Sequence, residues 1–166
     1  MADKMNKNQN ATAENEHRDR TERVELTVLC LITNGDKILL QNRVKNDWHG
    51  YALPGGHVED GESFTDACIR EMKEETGLDV LSPRLVGVKQ FPTDDGRYVV
   101  FLYKADRYSG ALVSSDEGEM EWVERSRLAE FDTVNDLEEL IRVMESPSLS
   151  EFVYVTDGGE WRAELK

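Results

Sequence analysis

The sequence predicts one domain of the α/β or α+β class, built on a mixed β-sheet with few helices. The chain has 166 residues, which is enough for one domain with a sizeable core but cramped for two. Short apolar stretches bounded by turn residues indicate strands, and two segments with helical spacing interrupt them. The resulting order is strands, helix, strands, helix, strands, which is typical of this class.

The predicted strands are short segments bounded by turn residues. In chain order they cover 25–33, 37–44, the brief stretch 51–53, 85–91, 98–108, 121–123, 151–155 and 160–165. Asn34-Gly35-Asp36 and Asp157-Gly158-Gly159 predict hairpins, because Asn, Asp and Gly tolerate the left-handed conformations of tight turns. A third turn is predicted at 93–96.

Two helices are predicted. The first covers 63–76, where Ser63 and Asp66 resemble a capping box and Gly77 is a natural stop. The second covers 134–145, where apolar residues recur at helical spacing. These apolar residues are Leu137, Leu140, Ile141 and Met144.

Residues 1–23 are predicted to form a disordered tail, and 24–166 to form the domain. The tail contains no Val, Ile, Leu, Phe, Trp, Tyr or Cys, and its acidic and basic residues balance. Such a segment buries too little apolar surface to offset its ordering entropy, and it lacks the apolar region of a signal peptide. Cys30 and Cys68 make no disulfide framework, so we expect buried free thiols in a reducing compartment, the cytoplasm.

The charge balance excludes some function classes. Acidic residues outnumber basic ones by 34 to 20, which gives a formal net charge of −14. This argues against a general nucleic-acid binder and against adhesion to an anionic membrane, because both need a basic surface. No apolar run approaches the roughly 18–20 residues of a membrane span. A phosphorylated small substrate remains compatible if metal ions bridge the like charges.

Three glutamates share one face of the first predicted helix. Glu71, Glu74 and Glu75 stand at positions i, i+3 and i+4. They border the apolar stripe that contains Met72 instead of lying opposite to it, as in an ordinary surface helix. Like charges at the rim of a core are unfavourable unless a cation neutralises them, and Mg²⁺ or Mn²⁺ accepts carboxylate oxygens. The spacing alone is also compatible with a solvated acidic face.

Residues 55–78 resemble the Nudix box. That pattern is a Gly, five residues, Glu, seven residues, Arg-Glu, an aliphatic residue, one residue, Glu-Glu, one residue, Gly and an aliphatic residue. Its specified positions are filled here by Gly56, Glu62, Arg70, Glu71, Met72, Glu74, Glu75, Gly77 and Leu78. The strand order also resembles the Nudix fold, a mixed sheet sandwiched between helices with a catalytic loop–helix–loop.

The resemblance implies a divalent-metal site. Glu74 and Glu75 would be the main ligands of Mg²⁺, with Mn²⁺ as a possible substitute, helped by the Gly55 carbonyl. A carboxylate from a downstream loop often completes the site in this family. Glu117 is the candidate here, with Glu119 next, although an acidic loop is also compatible with a solvated surface.

The resemblance also implies catalytic roles for three residues. Glu71 would be a further metal ligand or the general base. Arg70 would orient the glutamates by charge-assisted hydrogen bonds, and Glu62 would support the loop and the metal site.

Four residues are candidate substrate contacts. Arg43 ends the second predicted strand, where a basic residue could meet phosphates, although it could equally be a surface arginine. Gly56 permits close approach of the backbone to a ligand. Asn135 could hydrogen-bond a purine edge, but helix capping is the alternative. Phe131 could stack on a base, but a place in the core is the alternative.

The family hydrolyses nucleoside diphosphates linked to another group. We therefore expect a Mg²⁺-dependent pyrophosphohydrolase with a nucleotide as its partner, acting as a monomer or homodimer. The compact chain resembles the MutT-like branch, which implies hydrolysis of 8-oxo-dGTP or related triphosphates to the monophosphate and pyrophosphate. Two alternatives stay open: an ADP-ribose or nucleotide-sugar pyrophosphatase, and a nucleotide-sensing module without hydrolysis. The intact set of glutamates favours an enzyme over a sensor.

Overall fold

Within residues 21–45, 48–114 and 118–166, which the computed structural model describes, the chain forms eleven strands and three helices. The strands are β1 (Arg23–Asn34), β2 (Lys37–Lys45), β3 (Trp48–Ala52), β4 (Gly55–His57), β5 (Leu78–Val80), β6 (Arg84–Thr93), β7 (Gly96–Ala105), β8 (Tyr108–Gly110), β9 (Gly118–Glu124), β10 (Glu151–Asp157) and β11 (Glu160–Leu165). The helices are α1 (Phe64–Thr76), a 3₁₀ helix (Arg125–Glu130) and α2 (Leu137–Glu145). None of these helices is long and apolar enough to cross a membrane.

Nine of the described strands form one mixed sheet. Its order is β11-β10-β6-β7-β1-β2-β3, with β4 beside β1 and β9 beside β2. β1 runs parallel to β7, and β6 runs parallel to β10, while the other neighbours are antiparallel. β5 and β8 form a separate two-stranded ribbon. The predicted mixed sheet is confirmed.

Alternate residues of β1 face two separate cores, because successive side chains of a strand point to opposite faces. Val28 and Cys30 pack in a cluster with Met72 of α1. Leu31 packs in the other cluster with Leu140 of α2. Helices therefore cover both faces of the sheet, as the sequence predicts.

The middle of β1 holds the glycine loop in place. Residues 27–29 of β1 pair with β4, so that Gly56 lies opposite Val28 and Gly55 opposite Leu29. A Cβ atom on Gly55 would lie 2.0 Å from the carbonyl oxygen of Val28. Only glycine lets this loop lie so close to the centre of the sheet.

The structure corrects several predicted boundaries. Strands β4, β5 and β8 and the 3₁₀ helix were not predicted, and the strand predicted at 98–108 is divided between β7 and β8. Helix α2 begins at Leu137 and not at 134, because Asp136 adopts a left-handed φ of 58° that cannot continue a helix. The predicted tail lies outside the described residues up to residue 20, and β1 begins at Arg23.

Candidate active site

Helix α1 carries the candidate site, and both of its ends are capped as the sequence predicts. The Ser63 hydroxyl accepts from the Asp66 backbone N–H at 3.1 Å and donates to the Asp66 carboxylate at 2.7 Å. Gly77 ends the helix with a φ of 75°, and its N–H donates to the Lys73 carbonyl at 3.0 Å. Met72 is fully buried beneath the helix. These contacts fix the rotation of α1 and hence the direction of its acidic face.

The three glutamates of that face differ in burial. Glu75 is 7% exposed. The side chain of Glu71 is 13% exposed, whereas that of Glu74 is 59% exposed. The spacing beside the apolar stripe predicts all three carboxylates at the rim of the core. Two of them lie there, whereas Glu74 reaches into solvent.

Arg70 links these carboxylates to the loop before the helix. Its Nε and Nη2 donate to the two oxygens of Glu62, both at 2.9 Å. Its Nη1 donates to Glu71 at 2.8 Å and to Glu74 at 3.2 Å. Its Nη2 also donates to the His57 carbonyl at 2.9 Å. The forked guanidinium thus fixes the relative positions of three acidic side chains and the end of β4.

The same contacts set the charges in this network. The Glu62 carboxylate raises the pKa of Arg70 well above its ordinary value, so the guanidinium stays charged. Hydrogen bonds from Arg70, and then from the Glu59 backbone N–H, hold the pKa of Glu62 below its ordinary value. Glu62 is therefore ionised at neutral pH.

The two glycines of β4 contact the other glutamates. The Gly55 N–H donates to the Glu75 carboxylate at 2.8 Å. A Cβ atom on Gly56 would lie 2.4–2.6 Å from the carboxyl group of Glu71. Gly56 therefore leaves the space in which the Glu71 carboxylate lies.

A cavity of about 940 Å³ opens beside these groups. It brings most of the predicted site residues together. Those that line it are Arg43, Gly55, Gly56, Glu71, Glu74, Glu75 and Asn135. Arg70 and Glu62 do not line the cavity. Arg70 donates to Glu71 of the glutamate cluster, and Glu62 accepts from Arg70. The volume is sufficient for a nucleotide-sized ligand.

The donor set suits a hard divalent cation, because Mg²⁺ and Mn²⁺ take carboxylate and carbonyl oxygens. Among the described residues, no three His, Cys, Asp or Glu side chains are already arranged around a common point for a metal. Arg70 and the Gly55 N–H instead hold oxygens of Glu71, Glu74 and Glu75. The chemistry of the cluster fits a metal ion, and binding would require these carboxylates to exchange hydrogen bonds for coordination.

The remaining predicted residues differ in their surroundings. The Arg43 Nη1 donates to Gln41 at 3.1 Å, at the wall of the cavity. Asn135 lines the cavity and the N-cap of α2 is Asp136, so Asn135 is not the capping residue. Phe131 packs edge-on against Tyr51, with ring centroids 4.8 Å apart, and is not among the residues that line the cavity. Glu117 lies outside the described residues.

Sequence reasoning missed four residues on the far wall of the cavity. Lys89 and Phe91 of β6, Tyr98 of β7 and Tyr154 of β10 line it together. Burial lowers the pKa of Lys89 and raises that of Tyr98. Lys89 was the available signal, since it follows the apolar stretch 85–88 within a predicted strand and a buried lysine requires an explanation.

Comparisons with known proteins agree with this architecture. A family model described as the NUDIX domain matches residues 23–144. The uncharacterized Nudix hydrolase YvcI of Bacillus subtilis is 40% identical over 99 residues, which cover 56% of this chain and 61% of that protein. The ADP-ribose pyrophosphatase of Methanocaldococcus jannaschii is 37% identical over 113 residues, which cover 66% of this chain and 62% of that one. The matched regions thus span about six tenths of these two relatives.

A solved structure extends the similarity to most of the fold. The MutT protein of Bacillus halodurans superposes with a TM-score of 0.69 and 28% identity, and the match covers 85% of this chain and 97% of the other. The NUDIX family model also matches well over half of the chain, including the whole glycine loop and helix α1. The chain therefore belongs to the Nudix family.

Proposed function

We propose that this protein hydrolyses nucleoside diphosphate-linked compounds with the help of a divalent metal ion, and that its substrate is a nucleoside triphosphate. The products would be the monophosphate and pyrophosphate. The observation that carries the proposal is the single cavity that joins the glutamate cluster of α1 to an aromatic wall. One end is suited to a metal-bound pyrophosphate and the other to a base.

Glu74 and Glu75, with Glu71 and the Gly55 carbonyl, would hold Mg²⁺, and Mn²⁺ would substitute for it. Glu117 is the proposed additional ligand. When bound, the ion neutralises the pyrophosphate and makes a coordinated water more acidic. This ion also reconciles a protein of net charge −14 with an anionic substrate.

The residues of the chain would then position and deprotonate the attacking water. Glu71 accepts the water proton as the new oxygen–phosphorus bond forms and the anhydride P–O bond breaks. The bridging oxygen leaves with the departing phosphate group. Arg70 holds the Glu71 carboxylate at 2.8 Å, and Glu62 holds Arg70 through two hydrogen bonds of 2.9 Å. Arg43, which lines the cavity, would contact the phosphates.

ADP-ribose is the second candidate substrate. The specific observation in its favour is the 37% identity with the ADP-ribose pyrophosphatase of Methanocaldococcus jannaschii. The same attack on a diphosphate would then release AMP and ribose 5-phosphate. Hydrolysis of an oxidised triphosphate such as 8-oxo-dGTP is favoured by the similarity to the MutT protein of Bacillus halodurans.

The two buried free thiols support the cytoplasm as the compartment.

A substrate panel tests the proposal. dGTP, 8-oxo-dGTP, the other dNTPs, ADP-ribose and a nucleotide sugar would be incubated with and without Mg²⁺, and the products separated by chromatography. Formation of monophosphate and pyrophosphate supports the triphosphate assignment. Cleavage of ADP-ribose alone would move the assignment to the second candidate. Nucleotide binding without any cleavage would make the protein a sensor.

Two variants and one control connect the activity to the cluster. Glu74→Gln and Glu75→Gln should each reduce turnover by about 10²-fold or more, because each removes a charged metal ligand. Glu138→Gln changes an exposed glutamate of α2 and should keep the wild-type rate. Near wild-type turnover in either of the first two variants would refute the assignment of the metal ligands.

A further inference from the structure

A second cavity of about 590 Å³ adjoins the first on the side away from the glutamates. Phe91, Asn135 and Tyr154 line both cavities, so the two cavities share a wall. Asp136 and Trp161 complete the wall of the second one. We call this second cavity the aromatic slot.

Trp161 gives the slot an exposed flat surface. It stands on β11 and is 56% exposed. Its ring lies perpendicular to that of Tyr154, with ring centroids 6.3 Å apart. Trp is the side chain with the largest apolar area, and leaving it in water beside a cavity is unfavourable unless a ligand covers it.

The terminal hairpin that carries Trp161 lies beyond the residues that the NUDIX family model matches. The family model ends at residue 144, whereas β10 and β11 cover Glu151–Asp157 and Glu160–Leu165. β10 pairs in parallel with β6, which brings the hairpin beside Lys89 and Phe91. The slot is therefore built where β6 meets the terminal hairpin.

A half-buried cation and an anchored carboxylate provide polar groups near the aromatic rings. The Nζ of Lys89 lies 5.2 Å from the ring centroid of Phe152 and 5.3 Å from that of Tyr154. Among the residues that the structure describes, no carboxylate lies within salt-bridge distance of Lys89. The Tyr154 hydroxyl donates to the Asp136 carboxylate at 2.5 Å, which holds this acceptor at the slot. A ligand with both donors and acceptors on a flat ring would satisfy this combination.

We propose that the aromatic slot binds the purine base of the substrate, with the base stacked on the indole of Trp161 and Lys89 donating to an acceptor on its edge. The inference rests on the proposed function, because that function places the diphosphate at the glutamates of the adjoining cavity. A purine overlaps an indole better than a pyrimidine does, because purine and indole each have two fused rings whereas pyrimidine has one. Trp161 is thus a residue that determines specificity for the base.

Binding of uncharged nucleosides tests the slot independently of hydrolysis. Deoxyguanosine, deoxyadenosine, deoxycytidine and 2-deoxyribose would be titrated into ¹⁵N-labelled protein with EDTA present, and the indole N–H signals followed by NMR. Nucleosides carry no phosphate, so neither metal nor turnover is needed. We expect the two purine nucleosides to shift the Trp161 signal saturably, and deoxycytidine to bind more weakly. The sugar should leave the signal unchanged.

The variants separate stacking from other effects. Trp161→Ala should weaken purine binding about tenfold or more, while Trp161→Phe should keep most of it, because stacking needs an aromatic face. Trp122→Phe is the matched control, because Trp122 stacks on Tyr108 and does not line the slot. Lys89→Met should also weaken binding of purine nucleosides. With the hydrolysed substrate, Trp161→Ala should raise KM and leave kcat nearly unchanged.

The outcomes distinguish the slot from the proposed function. Unchanged purine affinity in Trp161→Ala would overturn the slot even if the enzyme hydrolyses triphosphates. Purine binding that depends on Trp161, in a protein that cleaves nothing, would support the slot and overturn the hydrolase. Equal affinity for purine nucleosides and 2-deoxyribose would overturn the assignment of the base.

Discussion

Replacing Arg70 by Gln should destabilise the protein substantially even in the absence of metal. The change removes the donors of five hydrogen bonds that reach three carboxylates and the His57 carbonyl. Glu62 and Glu71, which are 16% and 13% exposed, would lose this hydrogen-bonding partner. Breaking a buried pair costs about 3–5 kcal/mol, but Arg70 is 23% exposed and water would screen part of the effect. We therefore expect a loss of about 2–3 kcal/mol.

Thermal unfolding in EDTA measures this loss. For a domain of this size, about 2–3 kcal/mol corresponds to a fall in Tm of about 4–12 °C. Arg127→Gln is the matched control, because Arg127 also pairs with a glutamate but both side chains are more than half exposed. Its Tm should equal that of the wild type. Coincident melting of the two variants would refute the structural role of the Arg70 network.

The pH dependence gives a second check on the same network. The pKa of Glu62 is lowered in the folded state, chiefly by Arg70. Its ionised form therefore stabilises the fold above its ordinary pKa of 4.5, and this stability is lost as the pH falls through the lower folded value. The difference in Tm between wild type and Arg70→Gln should be complete at pH 7 and should narrow below about pH 4.5. A difference that widens on acidification would contradict the argument.

Three further expectations concern the loop, the thiols and the core. Gly56→Ala places a methyl group in the space of the Glu71 carboxylate and should lower turnover by about 10²-fold, measured as phosphate release, and a change of less than twofold would contradict this. A hydrogen bond to the second thiol and then burial raise the pKa of Cys30. Ellman's reagent should therefore label neither thiol in the folded protein at pH 8 but both in guanidinium, and rapid labelling of the folded protein would be the opposing result. Leu31→Ala should lower the free energy of unfolding, measured by urea titration, by about 2–5 kcal/mol. Leu85→Ala, at a half-exposed position, should change it by no more than about 0.5 kcal/mol. Equal urea midpoints for the two variants would contradict the assignment of the core.

Local sequence signals were sufficient to predict much of the fold. The start and end of α1 are determined by Ser63 and Gly77, whose capping chemistry acts within one turn of the helix. The three-residue strand β4 could not be predicted, because Gly55-Gly56-His57 has little strand propensity and is extended only through its pairing with β1. The start of α2 was misjudged because the left-handed conformation of Asp136 depends on tertiary contacts, including the hydrogen bond from Tyr154.

The candidate site likewise contains residues that the local sequence could indicate and residues that only the tertiary fold brings together. The glutamates and Arg70 lie within one short segment, so their spacing alone could indicate that they act together. Lys89, Phe91 and Trp161 reach the cavities from β6 and β11, and only the parallel pairing of β10 with β6 brings these elements together. Phe131 illustrates the reverse difficulty, because an aromatic residue near a predicted site packs edge-on against Tyr51 and is not among the residues that line the cavity.

The parallel pairing of β1 with β7 makes assembly of the site a late event in folding. Arg23 pairs with Gly96, and Ile32 pairs with Ala105. The chain between β1 and β7 must therefore close into a long loop before these two central strands can pair. The glycine loop and α1 lie within that loop and leave the ribosome before their support is complete. Pulse-labelled hydrogen exchange should therefore protect amides of the local β6–β7 hairpin before those of β1 and β4. A nascent chain that has not reached Ala105 would contain β1, β4 and the complete acidic helix, but not the full length of β7 beside β1.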